Sequence, residues 1–283
     1  MKEAIIFGPG NIGKGLIGQV LHNASHDLIF VGSSNQSLKS IEAKGGYEVE
    51  IVNTGEKKFI PVHEVLHTSE VEVINTRIRR SSIIATAVHP NNLGRVAQSM
   101  KNALHERQET SKDPVNVIAC ENMRRASSHL QQEIGLPKER EDAIGFPNTS
   151  VDRISWHTDN TVKVEEFYEW VVEISQWKGE SINGLHYVED LDQMAVRKLY
   201  LLNTAHAIIG FAGMLKGINY VHEALEDSEI QQIVQGQLQE TSLALKGEYG
   251  ISDSELSEYV GHLWSRLQNP TIPDKTSRLI HEP

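Results

Sequence analysis

Cysteine is almost absent from this chain: Cys120 stands alone among 283 residues. One thiol excludes an intrachain disulfide framework and suits a reducing cytoplasm. Cys120 ends an apolar run and reads as a small buried residue. No apolar run approaches the length needed to span a bilayer. The N-terminus opens directly into a strand, without the charged leader and apolar core of a signal peptide. Repeats and low-complexity tracts are lacking. Cations are also in short supply, 27 Lys and Arg against 38 Asp and Glu, for a net charge of −11. A nucleic-acid partner would need a basic face. Any anionic ligand must therefore be held by local donors, because the overall field repels it. The apolar fraction of 39% is enough for a real core. The length suits two domains or one large one.

The first strong signal is Gly8-Pro9-Gly10-Asn11-Ile12-Gly13-Lys14-Gly15. It follows a short apolar strand, Glu3 to Phe7, and leads into a helical pattern through Val20 and Leu21. This is G-x-G-x-x-G between strand and helix. The first glycine permits a tight turn, the second lets a pyrophosphate approach the backbone, and the third lets helix and strand pack. The same residues nearly form a triphosphate-binding loop, but Gly15 stands where that loop needs Ser or Thr for magnesium. A second strand, Asp27 to Val31, should end in an acid that holds the ribose hydroxyls of NAD. Here the place reads Gly32-Ser33-Ser34-Asn35, and Lys39 is the nearest cation. On these residues the choice between NAD and NADP is open.

Residues 47–62 read as strands with a turn at Asn53-Thr54-Gly55. His63-Glu64-Val65-Leu66-His67 spells H-E-x-x-H, but Pro61 and the β-branched neighbours favour strand or loop, so no metal is expected. Ile83 to Val88 reads as a buried strand, followed by His89-Pro90, a helix from Leu93 to Leu104 and a polar loop from His105 to Asp113. Val115 to Ala119 is a further strand, running into Cys120-Glu121-Asn122-Met123. Alternating strands and helices predict a Rossmann-like, doubly wound parallel sheet, with ligands beyond the carboxyl ends of the strands. His89, Glu121 and Asn122 lie at such ends. Asp152 and Arg153 suggest an ion pair pinning the Gly145–Ile154 loop, and Asn148 is a candidate donor. Thr161 to Trp170 alternates as one more strand.

After Asn183-Gly184 helical patterns dominate. One runs from Val188 to about Leu215. The next starts at Asp227 or Ser228 and stops at Gly250. A third opens with the capping box Ser252-x-x-Glu255 and ends before Asn269-Pro270. The expected organisation is α/β: a dinucleotide-binding domain over 1–186, then an all-helical substrate domain over 187–283. In Arg197 to His206 a regular helix, at about 100° per residue, puts Lys198, Asn203 and His206 within an arc of about 140°. Lysine can take a proton if burial lowers its pKa, asparagine can donate to a carbonyl oxygen, and histidine can orient either.

With these stretches in place, the chain resembles the mannitol-1-phosphate 5-dehydrogenase family, within the polyol-specific long-chain dehydrogenases. The matching stretches are Phe7 to Gly15, Thr86-Ala87-Val88, Ile118 to Met123, Gly145 to Ile154, Glu169-Trp170, and Arg197 to His206. The resemblance implies a cytoplasmic, metal-independent oxidoreductase of mannitol metabolism that interconverts D-mannitol 1-phosphate and D-fructose 6-phosphate with NAD(H). It implies catalytic roles for Lys198 as general acid/base, Asn203 and Asn148 as carbonyl-polarising donors, and His206 as an orienting group. Cofactor contacts are expected from Phe7, Gly8, Gly10, Asn11, Ile12, Gly13, Ser33, Thr86, Ala87, Val88, Glu121 and Asn122. The expected partner is a sugar or polyol phosphate, with no nucleic acid and no membrane, in a monomer or homodimer. A related polyol or hexuronate dehydrogenase, or a catalytically weak dinucleotide-binding relic, is the alternative. Gly32 and His89 depart from the family, which has an acid and a glycine there. The family's helical domain also continues past Pro283 into a basic segment, so an exposed apolar patch is expected where such helices would pack.

Overall fold

The computed structural model describes residues 2–136, 143–158 and 161–280, so the chain end at Pro283 lies outside the described residues. The chain divides into two compact units, Met1–Leu191 and Asp192–Pro283.

The first unit begins with β1 (Lys2–Phe7), a widened π-helical turn (Gly13–Gly18) continued by α1 (Gln19–Asn23), β2 (His26–Gly32) and α2 (Asn35–Lys44). Then come β3 (Gly46–Ile51), β4 (Glu56–Pro61), β5 (Glu64–His67), α3 (Val71–Ile78), β6 (Ile83–Thr86), α4 (Leu93–Thr110), β7 (Val115–Ala119) and α5 (Ala126–Ile134). The unit ends with β8 (Ile144–Gly145), β9 (Thr149–Asp152), β10 (Ser155–Thr158), β11 (Thr161–Val164), β12 (Glu169–Glu173) and β13 (His186–Val188).

Six strands make a parallel sheet in the order β5-β2-β1-β6-β7-β8. Strand order reverses between β1 and β6, so a crevice opens beyond their carboxyl ends. Alternate residues feed two cores: Ile5, Phe7, Ile29 and Val31 on one face, Ala4, Ile6, Leu28 and Phe30 on the other. Burying a side chain such as Phe30 contributes about 1.5–3 kcal/mol. A second sheet, β10-β11-β3-β4, and a third, β13-β12-β9, complete the unit.

Two expectations need correction, while the strand-or-loop reading of the H-E-x-x-H segment holds. The polar stretch from His105 is helical to Thr110, because Arg107 turns inward and donates to the carbonyls of Ile78 and Ser81 at 2.8 and 2.6 Å. Thr161 to Trp170 is two strands, β11 and the start of β12, in different sheets. The H-E-x-x-H segment is β5 and its preceding residue. His63 and His67 are then about 13 Å apart along an extended chain, and Glu64 is paired with Arg77 at 2.7 Å.

The second unit holds α6 (Leu191–Arg197), a second π-helical turn (Lys198–Asn203), α7 (Thr204–Leu215), α8 (Val221–Ala224), α9 (Ser228–Tyr249), α10 (Asp253–Leu267) and α11 (Thr276–Leu279). Its caps are those the sequence announces. The Asp227 carboxylate accepts from the Glu229 and Ile230 N–H groups, Gly250 closes α9 at φ 67°, and Ser252 Oγ accepts from Glu255 N. The helices share a core around Leu201, Ala205, Ile209, Val234 and Leu263. Leu215 and Leu243 are 89% and 71% exposed, and Phe211, Leu199, Tyr200 and Ile233 are also exposed. No helix among the described residues is long and apolar enough to cross a membrane.

Candidate active site

In the first unit the crevice is a cavity of about 970 Å³. It is lined by Phe7, Gly8 and Gly10 from the glycine loop, Gly32, Ser33 and Ser34 after β2, and Ala87, Val88 and His89 after β6. Gly8 has φ 98°, and a Cβ there would stand 2.2 Å from the Ala87 carbonyl oxygen. A Cβ at Gly13 would stand 2.0 Å from the Gly8 oxygen. Gly10 differs: a Cβ would meet nothing within 4 Å. Two glycines therefore close the loop on itself, and the third leaves its outer face open for a ligand to approach. These residues fit a dinucleotide pyrophosphate.

Arg153 supports this loop from behind. It does not serve the suggested pair with Asp152, because its guanidinium donates to the Gly15 carbonyl (2.7 Å), Gln19 Oε1 (2.6 Å) and the Glu165 carbonyl (2.9 and 3.1 Å). The buried cation thereby holds a carbonyl within the widened turn. Sequence reasoning missed this role because Arg153 and Gly15 are remote in the chain.

Lys14 is buried at the cavity wall, with 8% of its surface exposed. Burial lowers its ammonium to about 8. Among the described residues its side chain has no hydrogen-bond or ion-pair partner; its backbone N–H donates to the Gly10 carbonyl at 3.0 Å and its carbonyl accepts from the Tyr47 hydroxyl at 2.8 Å. Asn11, expected at the cofactor, has its side-chain oxygen hydrogen-bonded to His157 Nδ1. Partial burial, with the Lys14 charge second, pushes the His157 imidazole down.

Glu121 plays a different part from the expected one. Its Oε1 accepts from Thr86 Oγ1 and Val88 N, both at 2.9 Å, and its Oε2 from His89 N at 2.8 Å. The carboxylate thus ties down the loop after β6. The Thr86 side chain is fully buried in the same network, so neither group faces the cavity, and Asn122 does not line it either. The tie has a strained neighbour: His89 takes φ 77°, ψ 141°. Such backbone suits glycine and costs a β-substituted residue on the order of 1–3 kcal/mol. His89 also lines the cavity.

Asn148 needs correction too. Its Oδ1 accepts from Ser128 N at 3.0 Å, and its Nδ2 donates to Glu173 Oε2 and Ser128 Oγ at 2.9 and 2.8 Å. At 5% exposure the amide is a buried tie among α5, β9 and β12, with no N–H left for a substrate carbonyl. Residue type and the resemblance pointed to Asn148; the partners that occupy it are tertiary.

In the second unit Lys198 and Asn203 bound the widened turn, and Thr204 N–H donates to the Leu199 carbonyl, five residues back. The regular-helix expectation is therefore revised. In a turn closed by i→i+5 bonds, residues five apart stack nearly above one another, whereas a regular helix separates them by about 140°. Lys198 and Asn203 are brought closer to one line. His206 follows in α7, with Nε2 3.6 Å from Asp274 Oδ2. Asp274 is itself held by Arg278 through two bonds of 2.8 Å. Asp274 was not singled out in the sequence; at 3.6 Å its carboxylate is a charge neighbour of the imidazole and not a hydrogen-bond partner. Beside Lys198, Arg197 lies over the Tyr259 ring at 4.2 Å and donates to Glu255 at 3.3 Å.

Comparison with known proteins bears on both units. Residues 2–184 match the mannitol dehydrogenase Rossmann domain, and residues 190–283 match the mannitol dehydrogenase C-terminal domain. The mannitol-1-phosphate 5-dehydrogenase of Bacillus subtilis (strain 168) is 35% identical over 99% of this chain and 78% of that protein. The enzyme of the same name from Thermoanaerobacter pseudethanolicus is 36% identical over 100% of this chain and 76% of its own length. A substrate-free D-sorbitol dehydrogenase structure shares the fold at TM-score 0.80 and 21% identity, over 98% of this chain and 72% of that one. Pseudomonas fluorescens mannitol 2-dehydrogenase, solved with NAD and D-mannitol, does so at 0.79 and 16%, over 98% and 71%. With both family domains matched and full-length relatives above 30% identity, the chain belongs to the mannitol dehydrogenase family.

Proposed function

We propose that this protein is a mannitol-1-phosphate 5-dehydrogenase: a cytoplasmic oxidoreductase that interconverts D-mannitol 1-phosphate and D-fructose 6-phosphate, with NAD(H) as hydride carrier. The observation that carries the reading is the likeness, over the whole of this chain and about three quarters of theirs, to enzymes of that name. The glycine cradle, open at Gly10 and closed at Gly8 and Gly13, supports the dinucleotide. A bound nicotinamide would supply or accept the hydride. The chain's own residues do the rest. Lys198 takes the hydroxyl proton as the alcohol is oxidised and returns it when the ketone is reduced. Asn203 donates to the substrate oxygen and stabilises the negative charge that develops there. His206, with the Asp274 carboxylate 3.6 Å away, orients the polar groups of this helix. Gly8, Gly10 and Gly13 position the dinucleotide, while Glu121 and Arg153 hold the loops that cradle it. Asn148 takes no direct part, since its amide is occupied.

The test is NADH oxidation by the purified protein with fructose 6-phosphate, with product identified as mannitol 1-phosphate. Turnover with fructose 6-phosphate and little with unphosphorylated fructose is expected. Preference for fructose would move the assignment to another polyol dehydrogenase of the family.

A further inference from the structure

The cavity beside the glycine loop has a charge pattern opposite to that of the molecule. The chain carries −11 overall. Yet among the described residues that line the cavity there is no Asp or Glu, while Lys14, Lys44 and Arg95 all line it. None of these three side chains forms a hydrogen bond or ion pair among the described residues. Lys14 is the most telling, because it is more than nine-tenths buried. An ammonium taken out of water without a counter-ion is costly, and an anion in the cavity relieves that cost. Its lowered proton affinity reflects the same unpaired burial.

The place where a dinucleotide domain selects its ribose reads the same way. An acid at the end of β2 would hold the 2′- and 3′-hydroxyls and repel a 2′-phosphate. Here Gly32 holds that place, and a Cβ would stand 3.0 Å from Cγ and Cδ of Pro9 and 3.2 Å from Leu38 Cδ2, so a side chain there needs its neighbours to give by a few tenths of an ångström. The next residues offer hydroxyls instead. Ser33, Ser34 and Ser37 line the cavity at the N-terminal turn of α2, a ten-residue helix whose first N–H groups favour an anion. Arg95, from α4, supplies the guanidinium that accommodates a ribose phosphate in dinucleotide domains lacking the acid.

We propose that this cavity accepts NADP(H) as readily as NAD(H), receiving the 2′-phosphate on Ser33 and Ser37 with Arg95 as its charge partner and Lys14 balancing the added charge from the wall. The inference rests on the reading of the cavity as a dinucleotide site. NAD alone brings its two pyrophosphate charges; the 2′-phosphate adds the anion that three unpaired cations and a missing carboxylate call for.

The experiment titrates the folded protein with NADH and, separately, NADPH, following cofactor fluorescence, and displaces the bound cofactor with 5′-AMP or 2′,5′-ADP. The expected result is a Kd for NADPH within about threefold of that for NADH or tighter, with 2′,5′-ADP displacing at about tenfold lower concentration than 5′-AMP. Arg95→Gln should weaken NADPH about tenfold and leave NADH within about threefold, whereas Ser33→Asp should weaken NADPH about thirtyfold or more and shift the preference toward NADH, whose ribose hydroxyls a carboxylate there can hold. NADPH weaker than NADH by more than about threefold would overturn the proposal, as would a preference unmoved by both variants. Failure of both cofactors to bind a folded sample would sink the dinucleotide reading itself, and this inference with it.

Discussion

The two widened turns make an instructive pair. One spans Gly13–Gly18 behind the glycine loop, the other Lys198–Asn203 in the helical unit. In the first every residue is buried, and the turn is wedged by packing: β10 and β11 press on Gly15, and Arg153 takes its carbonyl. In the second only Leu201 and Leu202 are buried, and the wide turn brings the polar residues at its two ends toward one line. The same backbone device serves packing in one place and side-chain placement in the other. π-helical turns concentrate at functional sites because regular helices remove them at little cost wherever nothing uses them.

The sharpest way to break this comparison is to remove the residue that follows the second turn. Deletion of Thr204 lets the helix close by i→i+4 bonds while Lys198 and Asn203 stay five residues apart, about 140° around a regular helix. A folded protein with kcat reduced by about 10²–10³ is expected, by steady-state kinetics beside circular dichroism. Unchanged kcat would show that the wide turn does not set the geometry. In the first turn the burden is steric. Gly13→Ala should cost about 3 kcal/mol in urea unfolding, because its methyl meets the Gly8 oxygen. Gly10→Ala should leave stability within about 0.5 kcal/mol while weakening cofactor binding about tenfold.

Smaller effects separate polar groups that are occupied from those that are not. Asn148→Ala should destabilise by about 2 kcal/mol, since it strands Glu173 and Ser128, with kcat within about threefold of the parent. A loss of kcat at full stability would restore Asn148 to the chemistry. Lys14→Met should do the reverse, raising the stability of the cofactor-free protein at pH 7 by on the order of 1–2 kcal/mol while weakening cofactor binding. The sign follows from the ammonium's fall from 10.5 to about 8 on folding. Between those values the unfolded chain binds the extra proton, so the parent gains stability as pH rises through this window. The methionine variant lacks that gain, and urea midpoints measured across the window would show the two curves converging.

What could be read in advance follows local chemistry. The glycine cradle, the strands of the parallel sheet and the caps at Asp227, Gly250 and Ser252 each leave a residue-type signature within a few positions. The π turns leave none: Arg197 to His206 has the composition of an ordinary helix, and the extra residue per turn is held by tertiary packing. Arg107 misled because a polar residue facing inward breaks the periodicity that marks a helix. Glu121 was found by its strand-end position and Asn148 by residue type and resemblance, but the hydrogen bonds that occupy them involve partners such as Ser128 and Glu173 that no local pattern names. The opposite error hid Lys14, whose significance lies in having no partner among the described residues.

The central claim is that Lys198 moves the substrate proton. The measurement is the pH dependence of mannitol 1-phosphate oxidation by the parent and by Lys198→Ala, with NADH affinity measured on both. The account predicts a rate that rises with pH through one ionisation in the parent. In the variant it predicts loss of that rise, kcat lower by about 10³, and cofactor affinity within about threefold. A variant that keeps the parent's rate and profile would remove the lysine from the mechanism.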